Sequence, residues 1–176
     1  MLRTPIPTIG FAAYSGTGKT TLLTQLIPLL KNRGLRIGLI KHSHHSFDVD
    51  QPGKDSYRLR AAGATTVLLA SKRRRAIMTE FDPEREPQLA EQIQALDLST
   101  LDLILVEGFK AESFPKIEIH RPSLQKPLLY PNDPDIVAVA SDVPLTLPER
   151  LIALDLNDPP SIASFIINRF LEPADA

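Results

Sequence analysis

Apolar and polar residues follow one another in blocks along the chain, and the blocks predict strands that alternate with helices. Residues 19–31 carry their apolar side chains at helical spacing, and Asn32-Arg33-Gly34 ends that run. The same reasoning predicts helices at 55–62, 83–96 and 159–171, and strands at 6–13, 37–40, 66–71, 76–80, 101–106, 114–120, 136–140 and 151–154. This alternation indicates an α/β fold, a mainly parallel sheet flanked by helices.

Two segments depart from the parallel pattern. Residues 66–71 and 76–80 surround a run of four basic residues, which predicts an antiparallel hairpin with a basic tip. In residues 114–120, apolar Ile117 and Ile119 alternate with polar side chains, which predicts a half-exposed strand. We therefore expect the sheet to carry an antiparallel extension at its edge.

Size, charge and composition narrow the class of partner. A chain of 176 residues fits one domain, so we expect a single domain over 1–176. A net charge of −1 gives no broad basic footprint for nucleic acid, and cysteine is absent, which excludes disulfides and thiolate metal sites. No apolar run approaches the 18 or more residues that span a bilayer. We expect a cytoplasmic protein with a small-molecule partner, not nucleic acid or a membrane.

A glycine-rich segment between the first strand and the first helix is typical of a phosphate-binding loop. It reads Ala13-Tyr14-Ser15-Gly16-Thr17-Gly18-Lys19-Thr20, and Ala13 stands where the motif G-x-x-x-x-G-K-[ST] has its first glycine. Glycine permits the turns that aim backbone N–H groups at phosphates, lysine supplies charge for the β and γ phosphates, and threonine offers a hydroxyl to Mg²⁺. The predicted phosphate-binding residues are Ser15, Gly16, Thr17, Gly18, Lys19, Thr20 and Thr21.

A carboxylate at the end of a neighbouring strand completes such a site. The apolar run 103–106 ends in Glu107, which resembles a Walker B strand with Glu in place of Asp, so we predict that Glu107 and Thr20 hold Mg²⁺ and that Lys19 and Glu107 act in catalysis. Asp50 and Asp48 lie in a polar loop after the second strand, where a carboxylate can sense a γ-phosphate. We favour Asp50 over Asp48 as a further metal ligand.

The base-reading residue is less well defined. The pattern Asn-Lys-x-Asp, which reads guanine in many GTPases, is absent from the chain. Asp142 follows the strand 136–140 and Asp158 follows the strand 151–154, and either carboxylate could accept the N1 and N2 protons of guanine. We predict Asp142 as the binding residue.

Two other clusters allow different chemistry. His42, His44 and His45 stand at a spacing that can chelate a transition metal, although Lys41 beside them disfavours a second cation. The basic run 72–75 contains three arginines that could cover a transferred phosphate, or could form a solvated hairpin tip.

Taken together, the ordered motifs resemble the MobB family of molybdopterin-guanine dinucleotide biosynthesis adapter proteins. The blocks that carry the resemblance are residues 12–21, 40–45, 48–57, 61–64, 103–110 and 140–144. The resemblance implies a P-loop NTPase fold, binding of GTP with Mg²⁺, and weak GTP hydrolysis. It also implies a homodimer, with residues 112–131 in the dimer contact, and interaction with the molybdenum cofactor guanylyltransferase and other molybdenum cofactor biosynthesis proteins.

Two alternative functions remain open on the residues alone. A small-molecule kinase would use Lys19, Mg²⁺ and the arginine cluster to pass a γ-phosphate to a metabolite. A metallochaperone would use His42, His44 and His45 to carry Zn²⁺ or Ni²⁺. No arginine or glutamine is obviously placed to speed hydrolysis, which favours the slow GTP-binding adapter.

Overall fold

The structure, a computed structural model, describes residues 4–43 and 47–171. These residues divide into two compact units. The segment Ser43–Pro87, here called the insert unit, is one of them, and the remainder, here called the sheet unit, is the other. That both units act as one nucleotide-binding domain stays a prediction.

The described residues form eight strands and four helices. The strands are β1 (Thr8–Ala12), β2 (Ile37–Lys41), β3 (Thr66–Ala70), β4 (Arg75–Thr79), β5 (Leu103–Glu107), β6 (Lys116–His120), β7 (Ile136–Ser141) and β8 (Ile152–Asp155). The helices are α1 (Lys19–Asn32), α2 (Asp55–Ala61), α3 (Leu89–Gln94) and α4 (Pro159–Phe170), with short 3₁₀ turns at Leu98–Thr100, Pro122–Leu124 and Tyr130–Asn132.

The sheet unit is built on six parallel strands in the order β2-β5-β1-β6-β7-β8. Helices α1 and α4 pack on one face, where Leu26 and Ile166 meet the strand side chains of Phe11 and Ile117. Helix α3 packs Leu89 and Ile93 on the other face, against Ile104 and Val106 of β5. The parallel sheet flanked by helices is confirmed, and it places the carboxyl ends of all six strands at one edge.

The insert unit contains α2 and the antiparallel pair β3-β4. The predicted hairpin is confirmed, with the basic run Lys72-Arg73-Arg74 in its turn and Arg75 opening β4. Antiparallel pairing is thus present as a separate two-stranded sheet rather than as an extension of the large one.

The edge strand predicted at residues 114–120 is wrong in its environment. Strand β6 lies between β1 and β7, and all five of its residues are buried. Its polar side chains have partners: Lys116 contacts Asp133 at 3.0 Å, and Glu118 accepts hydrogen bonds from the N–H groups of Leu129 and Tyr130. The alternation that predicted solvent on one face reflects these buried polar contacts instead.

The helix predicted at 83–96 is shorter in the structure. Only Leu89–Gln94 is helical, and the chain before it is not. Pro87 explains the difference, because a proline inside the predicted helix would remove an N–H and clash with the preceding turn. No helix within 4–43 or 47–171 has the length and apolar content to cross a membrane.

Candidate functional site

The loop between β1 and α1 has the backbone that its sequence predicts. Gly16 and Gly18 have φ values of 79° and 99°, in the region that side chains avoid. The Thr17 hydroxyl donates to the Tyr14 carbonyl at 2.6 Å and closes the turn from within. Such turns are how successive N–H groups come to face one concavity and receive an anion.

The first turn of α1 is open to a ligand. The helix begins at Lys19, no side chain in the described part of the chain caps it by a hydrogen bond, and its first turn holds no acidic residue. Thr20 and Thr21 are exposed there, as is Ser15 in the loop. The unpaired N–H groups and the positive end of the helix dipole favour a phosphate at this place.

Glu107, the last residue of β5, lies between Lys19 at the start of α1 and Lys41 at the end of β2. Its carboxylate is 3.9 Å from the Lys19 ammonium and 3.5 Å from the Lys41 ammonium. Burial lowers the pKa of Lys19, and the negative charge of Glu107 opposes that shift. One carboxylate between two ammonium groups leaves an excess of positive charge, which suits a polyanion with a divalent cation.

Gly108 fixes the backbone behind Glu107. It has a φ of 99°, and a Cβ there would lie 2.7 Å from the Cβ of His42. The N–H of His42 donates to the Glu107 carbonyl at 2.8 Å, and its ring stacks on Phe109 with centroids 4.6 Å apart. His42 therefore packs against the end of β5.

Asp142 lies at the same edge of the sheet, directly after β7. Its Oδ2 accepts a hydrogen bond from Nη1 of Arg121 at 2.6 Å. Its Oδ1 is buried and has no hydrogen-bond partner among the described residues. Asp142 also lines a cavity of about 220 Å³ together with Val143, Leu145 and Leu154.

Arg121 is the site residue that sequence reasoning missed. It follows β6, and its Nε donates to the Thr17 carbonyl of the phosphate loop at 3.0 Å while Nη1 binds Asp142. The available signal was an arginine directly after a strand, but its meaning depends on β6 lying between β1 and β7.

Asp158, the alternative base reader, has a different role. Its side chain accepts a hydrogen bond from the Ser161 N–H at 3.2 Å and caps α4. A carboxylate used as a helix cap stabilises that helix, typically by about 1 kcal/mol. That Asp142 reads the base stays a prediction.

Asp48 and Asp50 belong to the insert unit, where they form a polar cluster with Arg60. Asp48 accepts from Arg60 and from the Asp50 N–H, and Asp50 Oδ1 accepts from the Ser56 hydroxyl at 2.9 Å. Arg60 also binds Glu80 at 2.7 Å. The hydrogen bonds that Asp48 accepts from Arg60 and from the Asp50 N–H lower the pKa of Asp48. Asp50 Oδ2 is buried with no hydrogen-bond partner within 4–43 and 47–171, and its role as a metal ligand stays a prediction.

The donor atoms at the loop fit a hard cation. The Thr20 hydroxyl and the Glu107 carboxylate offer oxygen donors, and Mg²⁺ needs few protein oxygens where phosphate oxygens and waters can complete its octahedron. In the part of the chain that the structure describes, no group of three or more His, Asp or Glu residues could enclose a metal ion. His44 and His45 lie outside the described residues.

Comparisons with known proteins agree on one family. The model of the family described as "MobB: Molybdopterin guanine dinucleotide synthesis protein B" matches residues 8–142. The chain is 52% identical over 166 residues to the molybdopterin-guanine dinucleotide biosynthesis adapter protein of Escherichia coli K12, covering 94% of each chain. It is 49% identical to the protein of the same name from Haemophilus influenzae, covering 93% of this chain and 89% of that one.

A solved structure supports the fold. The crystal structure titled molybdopterin-guanine biosynthesis protein B superposes with a TM-score of 0.71 at 26% identity, covering 92% of this chain and 98% of the other. The parallel sheet, the phosphate loop and the matched family model thus point the same way. The chain belongs to the MobB family of molybdopterin guanine dinucleotide synthesis proteins.

Proposed function

We propose that this protein is a GTP-binding adapter that acts in molybdopterin-guanine dinucleotide biosynthesis. The observation that carries the proposal is the open first turn of α1, with Lys19 and Glu107 beside it, in a chain of this family. The names of the relatives from Escherichia coli and Haemophilus influenzae support the adapter role.

The phosphates of the nucleotide lie against the N–H groups of 15–21. The Lys19 ammonium exchanges its contact with Glu107 for the β and γ phosphate oxygens, which are stronger anionic partners at short distance. Thr20 and Glu107 are the proposed ligands of Mg²⁺, which would neutralise phosphate charge when bound. Asp50, in the insert unit, stays a sequence-based prediction as a further ligand.

The base lies at the carboxyl ends of β7 and β8. The cavity beside Asp142 offers apolar contact from Leu145 and Leu154, and the unpartnered Oδ1 of Asp142 offers an acceptor. Guanine presents two neighbouring N–H donors on its Watson–Crick edge, whereas adenine presents an acceptor at N1. This difference supports guanine as the base.

We propose that GTP hydrolysis by this protein is slow and that GTP binding, rather than hydrolysis, controls its interaction with a partner. An isolated GTPase without an added arginine or glutamine loses a factor of about 10³ to 10⁵ in rate. We therefore propose that the GTP-bound protein engages the molybdenum cofactor guanylyltransferase as a homodimer. Within the predicted contact range 112–131, strand β6 is buried, so the proposed contact runs through residues 121–131, which follow it. The weak hydrolysis then resets the complex.

The test is calorimetric titration of the purified protein with GTP, ATP and a non-hydrolysable GTP analogue, with and without Mg²⁺. We expect GTP to bind and the analogue to support capture of the purified guanylyltransferase. The Lys19→Ala variant should bind GTP more weakly than the wild type. Lys31→Ala is its matched control, because Lys31 lies at the far end of the same helix.

Two results would contradict the proposal. Absence of binding to any purine triphosphate at millimolar concentration removes the nucleotide site. Transfer of labelled γ-phosphate from GTP to a molybdopterin precursor, instead of to water, makes the protein a kinase.

A further inference from the structure

Arg121 joins two parts of the sheet edge that are far apart in the chain. Its Nε donates to the Thr17 carbonyl at 3.0 Å, and its Nη1 donates to Asp142 Oδ2 at 2.6 Å. The guanidinium also lies beside Gly18, 3.8 Å from the position that a Cβ would take. One planar group therefore spans the phosphate loop and the end of β7.

The strand order explains why this residue reaches both. Strand β6 pairs with β1 on one side and with β7 on the other. His120 is opposite Ser141 in the register, so the next residues, Arg121 and Asp142, leave the sheet side by side. A residue after any other strand would not lie between the phosphate loop and Asp142.

Arginine is suited to this place for a geometric reason. Its guanidinium donates in several fixed directions in one plane, whereas a lysine ammonium is a compact charge on a flexible stem. The two hydrogen bonds hold Thr17 and Asp142 in one arrangement. With Oδ2 engaged by Arg121, Oδ1 is the oxygen of Asp142 that has no donor among the residues that the structure describes.

We propose that Arg121 is a positioning residue that couples the phosphate loop to the base-reading carboxylate Asp142, so that guanine preference depends on an arginine that touches neither base nor phosphate. The inference rests on the proposed function and names a determinant of its specificity. Because Arg121 holds the Asp142 carboxylate before the nucleotide binds, less side-chain entropy is lost on binding. A base that donates N–H groups to Oδ1 is then favoured over a base that lacks such donors.

The experiment compares GTP with inosine triphosphate, which lacks the 2-amino group, and with inorganic tripolyphosphate, which reports on the phosphate loop alone. Dissociation constants are measured for the wild type, Arg121→Gln, Asp142→Asn and the double variant. Arg150→Gln is the matched control, since Arg150 also bridges two segments, donating to the carbonyls of Ile136 and Tyr130.

We expect Arg121→Gln to lower the preference for GTP over inosine triphosphate by about tenfold, the equivalent of one charge-assisted hydrogen bond. Arg150→Gln should leave that preference unchanged. In the double variant the preference should equal that of Asp142→Asn alone, because Arg121 acts through Asp142. Arg121→Lys, whose ammonium lacks the planar set of donors that holds both Thr17 and Asp142, should lower the base preference as Arg121→Gln does.

Melting temperatures of all variants separate unfolding from loss of coupling. Should Arg121→Gln fail to fold, Arg121→Lys carries the same comparison. The inference is overturned when a folded Arg121 variant keeps the wild-type preference, or when the effects of Arg121 and Asp142 multiply independently. A wild-type protein that binds neither GTP nor tripolyphosphate refutes the proposed function, and this inference with it.

Discussion

The Lys19 ammonium lies 3.9 Å from the carboxylate of Glu107, so the phosphate loop and the end of β5 are joined by opposite charges. Lys41 adds a second ammonium at 3.5 Å from the other carboxylate oxygen. A polyanion that enters this site attracts both lysines, and the released carboxylate becomes available to a divalent cation. Substitutions at Lys19 and at Glu107 test this exchange.

Lys19→Ala should lower GTP affinity by about tenfold or more. The lost charge-assisted hydrogen bond to phosphate is worth about 1.5 to 3 kcal/mol. Calorimetry measures the change, with Lys31→Ala expected to bind as the wild type does. Equal GTP affinity in Lys19→Ala and wild type would contradict the assignment of the loop.

Glu107→Gln should reduce the dependence of GTP binding on Mg²⁺. The amide keeps the shape of the side chain but loses the charge that a hard cation requires. Affinity measured with a chelator should change little, and the gain on adding Mg²⁺ should shrink. Glu149→Gln, at an exposed position, is the control. An unaltered Mg²⁺ dependence would remove Glu107 from the metal ligands.

Gly108→Ala should destabilise the protein more than Gly34→Ala. Both glycines have positive φ, 99° and 85°. A Cβ at Gly108 would lie 2.7 Å from His42, whereas a Cβ at Gly34 would meet no atom of the described residues within 4 Å. The backbone conformation costs about 1 kcal/mol at each site, and overpacking adds about 1 to 3 kcal/mol at Gly108. Urea unfolding measures the free energy of unfolding of both variants. Equal losses of stability would mean that the contact with His42 adds no cost at Gly108.

Glu118→Gln should lower the free energy of unfolding by about 1 to 3 kcal/mol. The carboxylate accepts from the N–H groups of Leu129 at 2.7 Å and Tyr130 at 2.9 Å, and an amide turns one acceptor into a donor facing an N–H. Denaturant titration at pH 7 measures the loss. The exposed Glu149→Gln is again the control, and a comparable loss there would show that the effect is not specific to the buried site.

Glu118 also gives stability a defined pH dependence. Burial raises the pKa of Glu118 above its ordinary value of 4.5, and this effect exceeds the lowering by the N–H groups of Leu129 and Tyr130. The folded protein then binds this proton more tightly than the unfolded chain, so the contribution of Glu118 is greatest below pH 4.5 and falls as pH rises through the folded pKa. The difference between wild type and Glu118→Gln, measured from pH 4 to 8, should decline in that direction.

Asp102 should show the opposite sign. Its two oxygens accept from the Arg36 side chain at 2.9 and 2.7 Å, and these bonds lower the pKa of Asp102 to about 2. The stability that the pair contributes is present above the ordinary value of 3.8 and is lost as pH falls toward 2. Asp102→Asn should lack this part of the acid transition, whereas Asp55→Asn, at an exposed position, should retain it.

Local sequence was enough for the phosphate loop and for most elements around it. Gly16, Gly18 and Lys19 act within a few residues of one another, so their spacing predicts their geometry. Arg121 and Asp142 are 21 positions apart, and their contact depends on which strands are neighbours. Strand order is set by long-range packing, which residue patterns along one segment do not encode.

The same limit explains the error at β6. Alternating polar residues ordinarily indicate a solvent-facing side. Here Lys116 and Glu118 find partners in the segment 129–135, which no local pattern links to them. Pro87 is the opposite case, because the information was local. The amphipathic spacing of residues 83–96 predicted one helix, although Pro87 within that range disfavours helix.

The buried charges of β6 have a consequence for how this fold can be altered. The link from β6 to β7 supplies the Asp133 carboxylate to Lys116 and backbone N–H donors to Glu118, so both buried charges of β6 have their partners in the segment that follows the strand. Strand and link are therefore one exchangeable module. A chimaera that takes this link from a relative must also take β6 from it. Otherwise Lys116 and Glu118 would be buried in the middle of the sheet without their partners.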